Sequence, residues 1–278
     1  MKAAQARVLL TGAGGGIGQA AALALAGAGA ALLLAGRSPA RLSAQARALQ
    51  QRVPAAQVEW HEADLQQPLS IQALALRAQA WNCNVVVHCA GVAEFGRFEG
   101  TSAAAMAATL NTNLLAPMML THSLLPHLRG LPRAQVICVG SALGAIGLPG
   151  YGVYCASKFG LRGFAQALRR EMADTAVRIQ YLGPRSTQTS FNTSEVARYN
   201  RATGTAMDPP QRVAQALLRM VESERAEQFI GFPEKLAARI NGLVPVLLDG
   251  AFARHRRSLP PQATDSPNLI HEETSNAH

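Results

Sequence analysis

The feature that most constrains this chain is an alternation that runs through its first 182 residues. Short apolar runs recur, and each is followed by a longer stretch with helical spacing. Strands are expected at 6–10, 31–35, 57–62, 84–89, 135–139 and 177–182, and helices at 17–28, 39–51, 68–80, 102–129 and 151–173. The run Val85-Val86-Val87 is apolar without interruption, as expected of a strand covered on both faces. Strands that alternate with helices predict an α/β fold, a doubly wound parallel sheet with helices on both sides. A further strand at 228–231 brings the count to about seven. Right-handed crossovers align the C-terminal ends of such strands along one edge, where ligands bind. The residues that follow those ends are Gly12, Arg37, Asp64, Ala90-Gly91, Ser141 and Pro184.

Beyond the sixth strand the pattern changes. Residues 186–207 are polar and irregular, a candidate substrate lid. Asp208 is expected to cap a helix that has Pro209 and Pro210 in its first turn and ends near residue 223. Three parts follow: a catalytic domain over 1–232, a helical extension over 233–257 interrupted at Asn241-Gly242 and Pro245, and a tail over 258–278 with a disordered composition.

Composition narrows the function. Of 278 residues 49% are hydrophobic, enough for a sizeable core, and the formal net charge is +9. The Lys and Arg residues are dispersed and aromatics make up only 5%. There is thus no basic stripe with stacking residues, and no nucleic-acid partner is expected. A phosphorylated cofactor, an acidic substrate or an anionic membrane surface would each account for the charge. No Asp or Glu precedes Glu59, whereas Arg7, Arg37, Arg41, Arg47 and Arg52 do. Cys83, Cys89, Cys138 and Cys155 lack metal-ligand spacing. They read as buried free thiols of a cytoplasmic protein, with no metal site. No apolar run reaches the ~18 residues of a membrane span, and the N-terminus lacks the pattern of a cleaved secretory signal.

Two motifs carry chemistry. After the first strand the chain turns through Gly12, Gly16, Ile17 and Gly18 into a helix. Such glycines let backbone approach a pyrophosphate, and the helix N-terminus offers free N–H groups and partial positive charge. Dinucleotide folds usually carry an acid after the second strand to grip the adenosine ribose. Here Arg37-Ser38 stands in its place. A guanidinium suits a 2′-phosphate, so NADP(H) is expected over NAD(H). The second motif is Tyr154 and Lys158, four residues apart and so on one helix face. A nearby cation favours phenolate, so the phenol's pKa is expected to fall from ~10 toward neutrality. Such a group can pass a proton to or from a substrate oxygen.

Together these residues resemble the short-chain dehydrogenase/reductase family over about residues 6–232, with a Rossmann-type sheet. The motifs are Thr11-Gly12-x-x-x-Gly16-x-Gly18, Asp64, Ala90-Gly91, Asn113, Ser141 and Tyr154-x-x-x-Lys158. The resemblance implies that Tyr154 is the general acid in reduction and the base in oxidation. Lys158 would tune Tyr154 and hold the nicotinamide ribose, and Ser141 would polarise the substrate carbonyl. Asn113 would help hold a water in a relay to Lys158. Asp64, with Leu65 beside it, would contact the adenine. Pro184 and Thr189 would lie near the carboxamide. A homodimer or homotetramer, formed through the helices that bear Asn113 and Tyr154, is also implied.

Two departures stand out. His88-Cys89 replaces the usual Asn-Asn before Ala90-Gly91, and either a structural or a proton-relay role is open to His88. Arg185 replaces the glycine after Pro184, and either holds a pyrophosphate or acidic substrate or points to solvent. The substrate pocket is expected from residues 142–149, Tyr151, the 94–98 loop and the 191–207 lid. Leu143, Ile146, Leu148, Phe95 and Phe191 would make it apolar. A hydrophobic ketone or alcohol fits such a pocket, as does a 3-oxoacyl thioester. A catalytically silent NADP-binding regulator is the rival of another class. The 233–257 extension either closes the pocket, packs on a partner subunit or lies on an anionic membrane.

Overall fold

The computed structural model describes residues 1–232 and 234–260, so most of the tail expected over 258–278 lies outside the described residues. The strands are β1 (Arg7–Thr11), β2 (Ala31–Gly36), β3 (Val58–Glu62), β4 (Val85–His88), β5 (Ala134–Val139), β6 (Val177–Gly183) and β7 (Glu227–Phe229). They form one parallel sheet in the order β3-β2-β1-β4-β5-β6-β7. The order reverses between β1 and β4, which places a ligand crevice at their C-terminal ends.

The α-helices are α1 (Gly16–Gly27), α2 (Pro39–Arg52), α3 (Pro68–Ala80), α4 (Ala103–Leu110), α5 (Ala116–Arg129), α6 (Gly152–Glu171), α7 (Ser194–Thr203), α8 (Pro210–Ser223), α9 (Glu234–Leu243) and α10 (Ala253–Arg257). The period-two geometry of a strand explains the uninterrupted apolar runs. Val8, Leu10, Leu32, Leu34, Val85 and Val87 face a core shared with α1, α2 and α8. Leu9, Leu33, Val86, Val136 and Cys138 face the opposite core, shared with α3, α5 and α6. Local signals set the helix ends. Ser38 caps α2 ahead of Pro39, and Gly29 takes φ +86° after α1.

Four local expectations are corrected. The helix expected over 102–129 is continuous but contains a π turn at Asn111–Leu115. By length and composition this helix could cross a membrane. However, Ala116, Leu120, Leu124 and Leu128 are buried in the sheet's core, as in a core helix. The polar 186–207 segment is not irregular throughout. It contains α7, capped by Thr193 and stopped by Gly204 at φ +73°. Asp208 does not cap α8, because Pro209 holds the cap position and the Asp208 carboxylate turns to Arg185 and Arg212, at 2.8 and 2.9 Å. Finally, α9 continues through Asn241-Gly242, since the Asn241 amide donates to the Ala145 carbonyl at 3.0 Å.

Candidate active site

The C-terminal ends of the strands open onto a cavity of about 1060 Å³. Its base follows from the glycine turn. Gly12 leaves β1 at φ +65°, and a Cβ there would lie 2.6 Å from the Ala90 backbone. Only glycine therefore lets the ends of β1 and β4 come this close. Thr11 joins the same two ends. Its hydroxyl accepts from the N–H groups of Cys89 and Ala90, at 3.1 and 3.3 Å, and donates to the Val87 carbonyl at 3.3 Å. Helix α1 starts without a side-chain cap, and Gly14, Gly15, Gly16, Ile17 and Gly18 line the cavity. That uncapped N-terminus is the kind of surface that receives a phosphate.

Arg37 and Ser38 line one end of the cavity, and so does Arg41, which sequence reasoning did not single out as a site residue. Its signal was its spacing, one turn beyond Arg37. Asp64 and Leu65 line the neighbouring wall. The Asp64 carboxylate accepts from the Gln66 N–H at 3.0 Å, and its own N–H donates to Ser70 at 2.9 Å. Ala90, Gly91, Pro184 and Thr189 are lining residues as well. The Thr189 side chain rests against Gly16, where a Cβ would meet it at 2.5 Å.

At the other end Ser141, Tyr154 and Lys158 come together. Helix α6 carries Tyr154 and Lys158 on one face, with the ammonium 5.7 Å from the centre of the phenol ring. Lys158 donates to the Val139 carbonyl at 3.4 Å. Ser141 shares a hydrogen bond with the Tyr154 hydroxyl. Burial raises the Tyr154 phenol to about 12, against the pull of that hydrogen bond. Burial also lowers the Lys158 ammonium to about 8. The acidified phenol expected from the sequence is thus not what the enclosed site produces. Desolvation outweighs the Ser141 hydrogen bond and keeps Tyr154 a proton donor.

Among the expected catalytic and cofactor-binding residues only Asn113 does not line the cavity. The π turn directs its amide beneath the β4 loop. Its Oδ1 accepts from the Val92 N–H at 2.8 Å, and its amide donates to the Val92 carbonyl at 2.9 Å and to Ser157 at 3.1 Å. Both amide hydrogens are therefore committed to structure. Arg185 lines the cavity but does not simply point to solvent, because its guanidinium holds Asp208. Burial would raise the Asp208 carboxyl, but the bond and charge of Arg185, joined by Arg212, bring it below the usual carboxylate range. His88 is buried, with Nε2 2.8 Å from the Thr121 hydroxyl, and does not line the cavity.

Leu143, Ile146, Leu148, Tyr151 and Phe191 form an apolar wall. Phe95 is not part of it and instead packs behind, 4.8 Å from the Tyr151 ring and 4.9 Å from the Tyr199 ring. The C-terminal segment supplies Ala237, Phe252 and His255 to the cavity. It is held there by Arg254, which donates to the Ala202 carbonyl at 2.8 Å, and by Arg97, which donates to that of Pro260 at 3.0 Å. No sequence periodicity marked Phe252 or His255 as lining residues.

A family model described as short chain dehydrogenase matches residues 6–200. The chain belongs to the short-chain dehydrogenase family. One relative is the ketoacyl reductase HetN of a Nostoc species, 29% identical over 225 residues, which cover 80% of this chain and 77% of that one. Another is the uncharacterized oxidoreductase DltE of Bacillus subtilis, 34% identical over 194 residues, 69% of this chain and 75% of the relative. Two solved structures share the fold. A short-chain dehydrogenase/reductase from Burkholderia phymatum in complex with NAD has a TM-score of 0.79 at 20% identity, covering 95% of this chain and 100% of that one. A short-chain dehydrogenase from Sphingobium yanoikuyae in complex with NADPH has a TM-score of 0.75 at 23% identity, covering 88% and 96%. As a short-chain dehydrogenase this protein is an oxidoreductase that acts on CH–OH or C=O groups. The cavity fits a dinucleotide. An uncapped helix N-terminus and bare glycine backbone lie near its middle, arginines at one end and proton-bearing groups at the other.

Proposed function

We propose that this dehydrogenase uses NADPH to reduce a hydrophobic ketone or aldehyde, and catalyses the reverse alcohol oxidation under suitable conditions. The observation that carries this reading is the meeting of the Ser141 and Tyr154 hydroxyls with Lys158 at the apolar end of the cavity. The opposite end, with Arg37 and Arg41 where an acid would repel a 2′-phosphate, supports NADP(H). When bound, the reduced dinucleotide supplies the hydride.

Each residue then has a task. Ser141 donates to the carbonyl oxygen and polarises it. Tyr154, protonated at neutral pH, delivers the proton to that oxygen as negative charge develops. Lys158 holds the ribose and lowers the energy of the phenolate left behind. Asn113 supports the site from below by fixing the Val92 backbone. Leu143, Leu148 and Phe191 exclude water and select an apolar substrate. A second reading, reduction of a 3-oxoacyl thioester, is favoured by the similarity to a ketoacyl reductase.

The test is a panel of ketones and a 3-oxoacyl thioester, assayed by NADPH absorbance. Turnover is expected with an apolar member of the panel and with NADPH preferred to NADH in kcat/KM. The Arg37→Ala/Arg41→Ala variant should lose that preference. Tyr154→Phe should lower kcat by about 100-fold or more. If Tyr154→Phe turned over like the parent, the phenol would not be the proton donor.

A further inference from the structure

We infer that Tyr181 is a positioning residue for this reaction, setting the backbone of Ser141 and through it the hydroxyl that meets the substrate oxygen. The inference rests on the proposed role of Ser141. Tyr181 lies on β6, is fully buried and does not line the cavity. Its hydroxyl accepts from the Ser141 N–H at 3.1 Å and donates to the Ser141 carbonyl at 2.8 Å. One hydroxyl reaches both groups because Ser141 is fully extended, at φ −161° and ψ 160°. In that conformation a residue's own N–H and C=O lie on the same side.

The need for such a brace follows from where Ser141 sits. The register of β5 with β6 ends at Val139 opposite Leu182. Single bonds continue from the Gly140 N–H to the Leu182 carbonyl and from the Ala142 N–H to that of Pro184. Strand β4 has already ended, its last pairing being His88 with Cys138. Ser141 is therefore past the sheet yet must hold its side chain still. Its Oγ accepts from the Leu143 N–H at 3.1 Å and meets Tyr154. A rotation of this one residue would carry the hydroxyl away from the phenol.

The surroundings are shaped for the ring. A Cβ on Gly140 would collide with the Tyr181 ring, and one on Gly144 with its hydroxyl. Phe229 packs beside the ring in a tilted contact, with centroids 5.9 Å apart. The two glycines thus leave a slot through which a strand side chain reaches a residue on the adjacent loop.

The experiment compares Tyr181→Phe, Ser141→Ala and the double variant, with kcat, KM and NADPH dissociation constant measured for each. Tyr181→Phe keeps the ring and removes only the hydroxyl. We expect kcat to fall about 10- to 100-fold, with KM and cofactor affinity within about twofold of the parent. In the Ser141→Ala background the same change should have no further effect on kcat, because its route to the substrate is gone. Equal losses in both backgrounds, or a Tyr181→Phe enzyme with parental kcat beside an impaired Ser141→Ala, would overturn the positioning role alone. A fully active Ser141→Ala would overturn the role of Ser141 and this inference with it. If Tyr181→Phe did not fold, Gly140→Ala would serve, since its Cβ displaces the ring without changing residue 181. The same kcat loss and the same non-additivity are then expected.

Discussion

His88 shows how a single side chain can couple this fold to pH. It directly precedes Cys89 at the end of β4, and it makes one hydrogen bond, to Thr121. Burial lowers its pKa to about 4, so the ring is neutral in the folded protein. The unfolded chain protonates this residue near 6.5. Between those values the unfolded state binds more protons, so stability falls as pH drops from about 6.5 to 4. The loss should be of the order of 3 kcal/mol once the change is complete. Urea unfolding at pH 7 and pH 4.5 should show the decline in the parent and a flatter response in His88→Asn. Equal slopes in the two would assign the acid sensitivity to other groups. The histidine itself was legible in the sequence, but its partner was not. Thr121 comes from a helix 33 residues away, and no local pattern pairs the two. Tyr181 was hidden for a related reason. An aromatic in an apolar strand reads as core, and only the slot between Gly140 and Gly144 makes it something else.

At the scale of elements, the π turn at Asn111–Leu115 is the least legible feature and one of the most consequential. Hydrophobic spacing marks a helix over 102–129 but does not register one widened turn. That turn lets Asn113 satisfy the Val92 N–H and C=O and the Ser157 hydroxyl together. Asn113→Ala would leave buried polar groups without partners, at a cost of about 2–4 kcal/mol. The melting temperature should drop by roughly 5–15 °C. A melt that matched the parent's would mean the clamp does not stabilise the fold. The strands and most helices were predicted to within one or two residues, because doubly wound sheets repeat a strong two-faced apolar signal. Helix α7 escaped although Thr193 and Gly204 marked its ends, since its polar sequence has few apolar positions. That the C-terminal segment closes the pocket was one of the readings open from sequence, but which of its residues reach the cavity was not legible, because that depends on long-range bonds such as Arg97 to Pro260.

At the scale of the whole molecule, Leu110, Leu115, Met118 and Phe159 remain exposed on α6 and the helix through α4 and α5. Apolar side chains gathered in this way suit burial against another subunit. We expect the protein to sediment as a dimer or tetramer, and Phe159→Asp to raise the dissociation constant by about tenfold or more. A monomer at micromolar concentration would reject the assembly. The cavity itself draws its walls from three stretches of the chain. The first 91 residues furnish the glycine turn, Arg37, Arg41 and the floor, the middle of the chain furnishes Ser141, Tyr154, Lys158 and most of the apolar wall, and Phe191, Phe252 and His255 come from the final third. Mutation of Phe191, Phe252 or His255 can therefore exchange one reactant for another while the site of the hydride donor stays as it was, so new specificities can arise here without rebuilding the redox apparatus.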